Sequence, residues 1–341
     1  MKVQIVWLVA LLSVAVLSQT ASAEEKSTLS RWLTIDEATI ASRFVWAQGT
    51  AGETNASQLQ HQQTWKARLE LIPGRLTVVS AAASGDQFTA GWNNTGAGPG
   101  KSGGAIFLKQ LYVAARPVKA VEVQFGGLDF SRGFSTDVTS YHGQGFLTGQ
   151  RAIVSAPERL FFDQVAFTYG YVGDYDKPGI NKRFRRLDDG NYRQFLVAKR
   201  LGHYVQVSTD YTNHAGLRTL REAITVKPSR FVQKLQFEMY QRFDDAAAGL
   251  HLSGSRNLTS RLAIEGGFMS IDKNYGHLNN DAFFSGNRVY VGPALKIARG
   301  LSFFALLHHA VATDYSVPNR TFAHAGFRYD VLDAFRGRDA K

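Results

Sequence analysis

Apolar residues recur at every second position along most of the chain, in short stretches set between turn residues. A period of two is the signature of half-exposed β-strands and is incompatible with helices of any length. Over residues 64–71, Trp65, Ala67, Leu69 and Leu71 share one face and Lys66, Arg68 and Glu70 the other. Over 231–242 the apolar set is Leu235, Phe237 and Met239, opposed by Lys234, Gln236, Glu238 and Arg242. Ala248, Leu250 and Leu252 oppose His251, Ser253 and Ser255 in the same way, and Leu262, Ile264 and Phe268 oppose Arg261 and Glu265.

The N-terminus is of another kind. Lys2, an apolar run over 5–17 and the small-residue site Ala21-Ser22-Ala23 read as a cleaved export signal over 1–23. The run falls short of the roughly 18–20 residues that would span a bilayer as a helix. The chain has no cysteine, which excludes a disulfide scaffold, a Cys-bearing zinc site and a thiol nucleophile, and with export points to a bacterial envelope.

Connections between the alternating stretches fall into two classes. Short ones, such as Ile72-Pro73-Gly74-Arg75 and Ala298-Arg299-Gly300, largely alternate with long polar ones over about 49–63, 93–104, 129–145, 173–190 and 272–286. An antiparallel up-and-down sheet whose two rims differ gives that pattern. Strands are expected to begin near 38, 64, 75, 105, 119, 146, 160, 192, 203, 217, 231, 245, 260, 286, 301 and 320. That makes an all-β barrel of about 16 strands over 38–331, with 14 an open alternative because 75–90, 146–155 and 301–312 alternate poorly. A periplasmic segment over 24–37 precedes it and a tail over 332–341 follows.

Alternation alone also fits a soluble sandwich. Three features favour a transmembrane barrel. The chain shows no linker dividing it into domains of ordinary size. Trp46 and Trp65 fall at the expected long-loop rim, with Phe167, Tyr169 and Tyr171 reaching it too, as an interfacial aromatic girdle would. The third feature is the final stretch, His324-Ala325-Gly326-Phe327-Arg328-Tyr329-Asp330-Val331, which resembles the terminal-strand signal read by the outer-membrane barrel assembly machinery. In this the chain is similar to bacterial outer-membrane porins, although residues 332–341 follow where such barrels usually end at an aromatic. The resemblance implies a homotrimer in the bacterial outer membrane that passes small hydrophilic solutes.

In a membrane an open sheet edge cannot persist, and a Lys or Arg facing lipid near mid-membrane costs roughly 2–4 kcal/mol. The charged faces must then enclose a wet bore, lined by Lys66, Arg68, Glu70, Glu122, Arg221, Lys234, Glu238, Arg242, Arg261, Glu265, Arg288, Lys296 and Arg328. Basic residues outnumber acidic ones on this wall, which predicts a passive pore with mild anion preference. The porin resemblance further nominates the connection over 129–145 as an inward constriction loop, with Asp129, Arg132 and Asp137 facing Arg151; an outward surface loop is the alternative.

Other signals carry less. The basic run over 182–186 is either a solvated loop or a contact for lipopolysaccharide phosphates and anionic solutes; an exported chain meets no nucleic acid. Residues 95–102 nearly match a phosphate-binding loop but have Thr95 where its first glycine belongs. His308 and His309 are adjacent on a strand and point to opposite faces, so they make no metal site, and Asp174, Asp176, Asp188 and Asp189 lack calcium-loop spacing. Neither metal nor cofactor is expected, and the protein is not expected to be an enzyme. Ser253 with His251 keeps a barrel hydrolase open. A substrate-specific channel for sugars or anionic polymers, with Tyr204, Tyr240 and Tyr290 as a stacking path, is the other alternative.

Overall fold

The alternating stretches form strands: β1 (Leu33–Gln48), β2 (Thr54–Ile72), β3 (Leu76–Gly85), the two-residue β4 (Asn93–Asn94), β5 (Ala105–Val118) and β6 (Val121–Leu128). They continue as β7 (Leu147–Val154), β8 (Gln164–Tyr171), β9 (Tyr192–Leu201), β10 (Val205–His214), β11 (Leu217–Val226) and β12 (Lys234–Arg242). The last five are β13 (Ala248–Asn257), β14 (Leu262–Ile271), β15 (Gly286–Ala298), β16 (Leu301–Ala312) and β17 (Thr321–Asp330). Two short helices, α1 (Ile180–Arg183) and α2 (Val331–Phe335), complete the elements among the described residues.

The computed structural model describes residues 32–85, 88, 91–98, 102–136, 138–139, 147–155, 161–173, 179–184, 188–228, 232–272, 275, 285–312 and 320–335. The expected export signal, Asp137, Asp174, Asp176, Arg185 and Arg186 lie outside them.

Each strand pairs antiparallel with the next, β3 passing over β4 to pair with β5, and β17 closes onto β1 from Gln48 opposite Thr321 to Thr39 opposite Asp330. The barrel thus has 16 strands. β4 sits outside that ring of neighbours, its Asn93 and Asn94 opposite His61 and Gln60 of the long strand β2. Closure leaves the sheet without an edge, so every strand has partners on both sides.

Side chains are sorted inside out. On β12, Gln236, Glu238 and Tyr240 are buried toward the barrel interior while Leu235, Phe237 and Met239 are exposed on its outer surface. Outward Phe167 and Leu252 are each 50% exposed, whereas inward Glu238 and Arg288 are 0% exposed. A water-soluble barrel does the reverse, because charged residues are almost never fully buried unless paired and large apolar ones belong inside.

Both ends of the described barrel lie at one rim: the Trp32 carbonyl accepts from the Glu70 amide, and the Asp333 carboxylate accepts from the Gly300 amide. This is the short-turn rim, where Gly74 at φ 67° lets the β2–β3 corner turn without a Cβ penalty. The opposite rim carries the long connections, together with three short ones: 49–53 between β1 and β2, the two-residue Ala215-Gly216 turn between β10 and β11, and 243–247 between β12 and β13.

Three local expectations are corrected. β1 begins at Leu33 rather than near 38, and β2 at Thr54, so most of 49–63 is strand and not loop. The upper part of β2 carries polar residues on both faces, Gln60 and Gln62 inward and His61 and Gln63 outward, which erases the alternation there. Trp65 consequently lies mid-strand, opposite Ala38 and Ala82, rather than at the rim. Tyr204 is 60% exposed in the turn before β10 at the short-turn rim, so it is no interior aromatic.

Candidate functional site

The interior is not an empty tube. After β6 the chain turns inward and residues 129–139 run across the inner faces of β9, β10 and β12. Phe130 packs edge-on against Tyr192 at 5.5 Å, in a buried cluster with Tyr112, Leu128 and Leu147. At the far end Val138 is buried with Tyr240, Met269, Ile271 and Tyr275.

Polar contacts fasten the stretch between these two apolar anchors. Gln194 of β9 donates to the Ser131 carbonyl at 2.7 Å, and the Phe134 amide donates to Ser208 Oγ of β10 at 2.9 Å. Gln236 of β12 donates to the Phe134 carbonyl at 2.8 Å. Glu238 then takes the amide of Thr136 on one oxygen and its hydroxyl, at 2.7 Å, on the other, while Gln236 and Tyr240 donate to the same carboxylate. Gly133, at φ +60°, makes the bend: a Cβ there would come within 2.8 Å of Ser208 Cβ.

At the root of the segment Arg151 of β7 donates to Asp129 Oδ1 at 2.7 Å and to Gln124 and Thr168 at 3.0 Å. Burial alone would raise the Asp129 carboxyl, but the Arg151 guanidinium outweighs it and holds that carboxyl below its ordinary range.

The other charges found partners in three ways. Some form ion pairs on the wall: Arg68 with Asp36 at 2.7 Å, Glu122 with Arg116 at 2.6 Å, Arg221 with Asp210, and Arg242 with Asp245 beyond the end of β12. Others face the interior from other strands: Lys66 with Glu37, Lys109 and Gln110 around one recess, Arg288 fully buried on β15, and Arg328 over the Phe304 ring at 5.6 Å. Glu265 and Lys296 are exposed on the inward faces of β14 and β15, with Glu70 half-buried low on β2. Lys234 opens β12 at the short-turn rim. Arg261 lies in the turn before β14 rather than on a strand. Arg132 is within the inward segment; Asp137 lies outside the described residues.

A run of rings also follows the inner wall from β13 to β1. His251 Nε2 lies 2.9 Å from the Tyr290 hydroxyl, and Tyr290 stacks on His308 at 5.2 Å. Phe322, His324 and Phe304 follow at 6.3, 5.7 and 5.8 Å, and Trp92, which sits 6.4 Å from Phe304, carries the Arg43 guanidinium 4.1 Å above its ring.

Two inward cations escaped sequence reasoning. Lys109 is the extra residue of a bulge: Gln110 pairs with Ala81 but Leu108 with Ala82, so Lys109 and Gln110 both point inward and parity is lost. Arg43 sits on β1, whose inward set also holds Ala41, Val45 and Ala47, so neither face reads as polar. The basic run over 182–186 proves partly internal. Arg183 is buried and donates to the carbonyls of Leu108 and Lys109, on the part of β5 that extends beyond its pairing with β6.

No family model and no curated protein matches the chain. Among solved structures, OmpF of Salmonella typhi, in a complex with daunomycin, superposes with a TM-score of 0.58 at 11% identity, over 87% of this chain and 97% of that one. A triple mutant of Rhodopseudomonas blastica porin superposes with a TM-score of 0.53 at 12% identity, over 87% and 99%. At such identities the likeness is one of fold: the chain has the porin barrel.

Proposed function

We propose that this protein is a porin-like channel of the bacterial outer membrane, through which small hydrophilic solutes diffuse passively with a mild preference for anions. The inside-out sorting of side chains carries the reading. An outer surface of Phe, Leu, Ile and Val suits acyl chains, and an interior wall of Arg, Lys, Glu and Gln suits water. Residues 129–139 narrow the bore in this reading, with Asp129 and Arg132 at its constriction. Lys66, Lys296 and Arg328, which are not buried, face them across the remaining space and bias permeation toward anions, with the buried Lys109 and Arg288 adding to the positive field of that wall.

Other parts of the reading follow from it. Lipid and lipopolysaccharide surround the barrel, the assembly machinery engages β17, whose Phe327 and Tyr329 point outward, and three copies associate. No catalytic role is assigned: the His251 imidazole, which a hydrolase would need beside Ser253, is engaged with Tyr290. A solute-specific channel is the second reading, favoured by the run of rings from Tyr290 to Trp92, whose faces suit a stacking solute.

Reversal potentials in a salt gradient across planar bilayers test the main reading. Anion-favouring potentials are expected, moving toward zero in the double variant Lys66→Gln, Arg328→Gln. Cation selectivity in the unaltered protein would refute the charge assignment, and absence of any conductance by protein that shows barrel-like mobility on unboiled gels would refute the channel. Concentration-dependent block by a sugar at millimolar levels would move the assignment to the second reading.

A further inference from the structure

We propose that the cavity enclosed between the inward segment and the wall of β9–β12 is a binding site for a small aromatic carboxylate. The cavity lies toward the long-loop rim, between Phe130 of the segment, Tyr192, Thr219, Arg221, Arg242 and Tyr275. Ring surfaces set beside guanidinium and hydroxyl groups are a combination that small-molecule sites use. Phe130 and Tyr192 offer the edge-on pair already described, and Tyr275 stands on the same cavity.

Its two guanidinium groups are not equivalent. Arg242 is fully engaged: Nε and Nη2 on the Asp245 carboxylate, Nη1 on the Tyr275 carbonyl at 2.8 Å. Arg221 gives Nη2 to Asp210 but its Nη1 has no hydrogen-bond partner, although the side chain is only 4% exposed. Asp210 does not serve both nitrogens: its oxygens accept from Arg221 Nη2, from Gln194 at 3.0 Å and from Thr212 at 2.9 Å. A buried cationic N–H without an acceptor is a standing demand for one, and an anionic oxygen meets it best. The ring faces require that this oxygen be borne on a planar apolar body. Together these select a benzoate-like ligand over an inorganic anion or a neutral aromatic.

This site does not depend on the bore conducting, so it is tested in solution on the folded full-length mature chain in detergent. Benzoate is titrated calorimetrically, with acetate and benzyl alcohol as partial mimics. Saturable benzoate binding is expected, with both mimics about tenfold weaker or more. Arg221→Gln should weaken benzoate about tenfold, and Tyr275→Leu, which changes a residue outside the strands, serves equally if Arg221→Gln does not fold. Absence of saturable benzoate binding overturns the proposal. Benzyl alcohol binding as tightly as benzoate overturns the carboxylate assignment, and unchanged benzoate affinity in either folded variant overturns the location. Conductance in the same preparation reports separately on the channel.

Discussion

On the wall formed by β9–β13 the inward side chains are spent on the chain itself. Gln194, Ser208, Gln236 and Glu238 each bond a residue of 129–139, and the acids Asp210 and Glu238 are closed off beneath it. On β2 and β17, Lys66 and Arg328 face the interior without being buried, Arg328 over the Phe304 ring. A 16-stranded barrel is too wide for wall side chains to fill, so an inserted segment has to supply packing on at least one side. Of the two acids, Glu238 fastens the segment and Asp210 is spent on Gln194, Thr212 and Arg221. Under the proposed function, a passing solute would then meet mainly the basic wall.

Glu238 is the point at which this asymmetry is easiest to break. Its replacement by Ala strips acceptors from the half-buried Thr136 amide and hydroxyl and from the fully buried Gln236 and Tyr240. Losing that set costs about 3 kcal/mol or more. The segment should leave the wall, and single-channel conductance should rise with added noise. Glu265→Ala, an exposed acid on β14, should leave conductance close to that of the unaltered protein. Equal conductance in the two variants would mean that the clasp does not hold the segment.

A smaller change attacks the same segment through its backbone. Gly133→Val places a β-branched residue at φ +60°, which costs about 1–2 kcal/mol, and drives its Cβ toward Ser208. The temperature at which the folded band converts to the unfolded one on gels should fall. Gly133→Asn, which carries the same Cβ but tolerates positive φ, should lower that temperature less than Gly133→Val, so equal falls would contradict this account of the bend.

The two walls also differ in how much of them could be read from the sequence. Most strand starts from β5 onward follow from period-two patterning, because one face must be apolar wherever it meets an apolar surrounding; β7 and β16 alternate poorly and are marked instead by the connections before them. β12 is legible residue by residue. β1, the upper part of β2 and the β5 bulge are not: they carry mixed faces or an inserted residue, and Arg43 and Lys109 are hidden there. The clasp was invisible for another reason. Glu238 reads as one more wall acid, and nothing local to Thr136 says that it will meet a residue far along the chain. The resemblance to porins supplied the connection over 129–145 as a region to watch; its fastening to Ser208, Gln236 and Glu238 comes from the three-dimensional structure alone. Arg183 shows the opposite failure, since a basic run reads as solvated when one of its members is needed to satisfy strand carbonyls.

The smallest expected effect concerns the root of the segment, and it has a definite sign in pH. Asp129 is held below its ordinary value of 3.8 by Arg151. A carboxyl depressed in this way adds stability above its unfolded value, and that contribution is lost as pH falls through the lowered folded value. The Asp129 side chain is 33% exposed, so water screens part of the interaction, and a contribution of about 1 kcal/mol is the appropriate scale. Acidification from pH 5 to below about 3.8 should therefore loosen residues 129–132 while Gln194 and Glu238 still hold the middle. The expected readout is increased current flicker without the conductance step of Glu238→Ala. Asp129→Asn should show that flicker already at neutral pH and lose most of its acid dependence. If Asp129→Asn keeps the full acid response, the titrating group lies elsewhere on the wall and the root of the segment is held by Phe130 and its apolar neighbours rather than by charge.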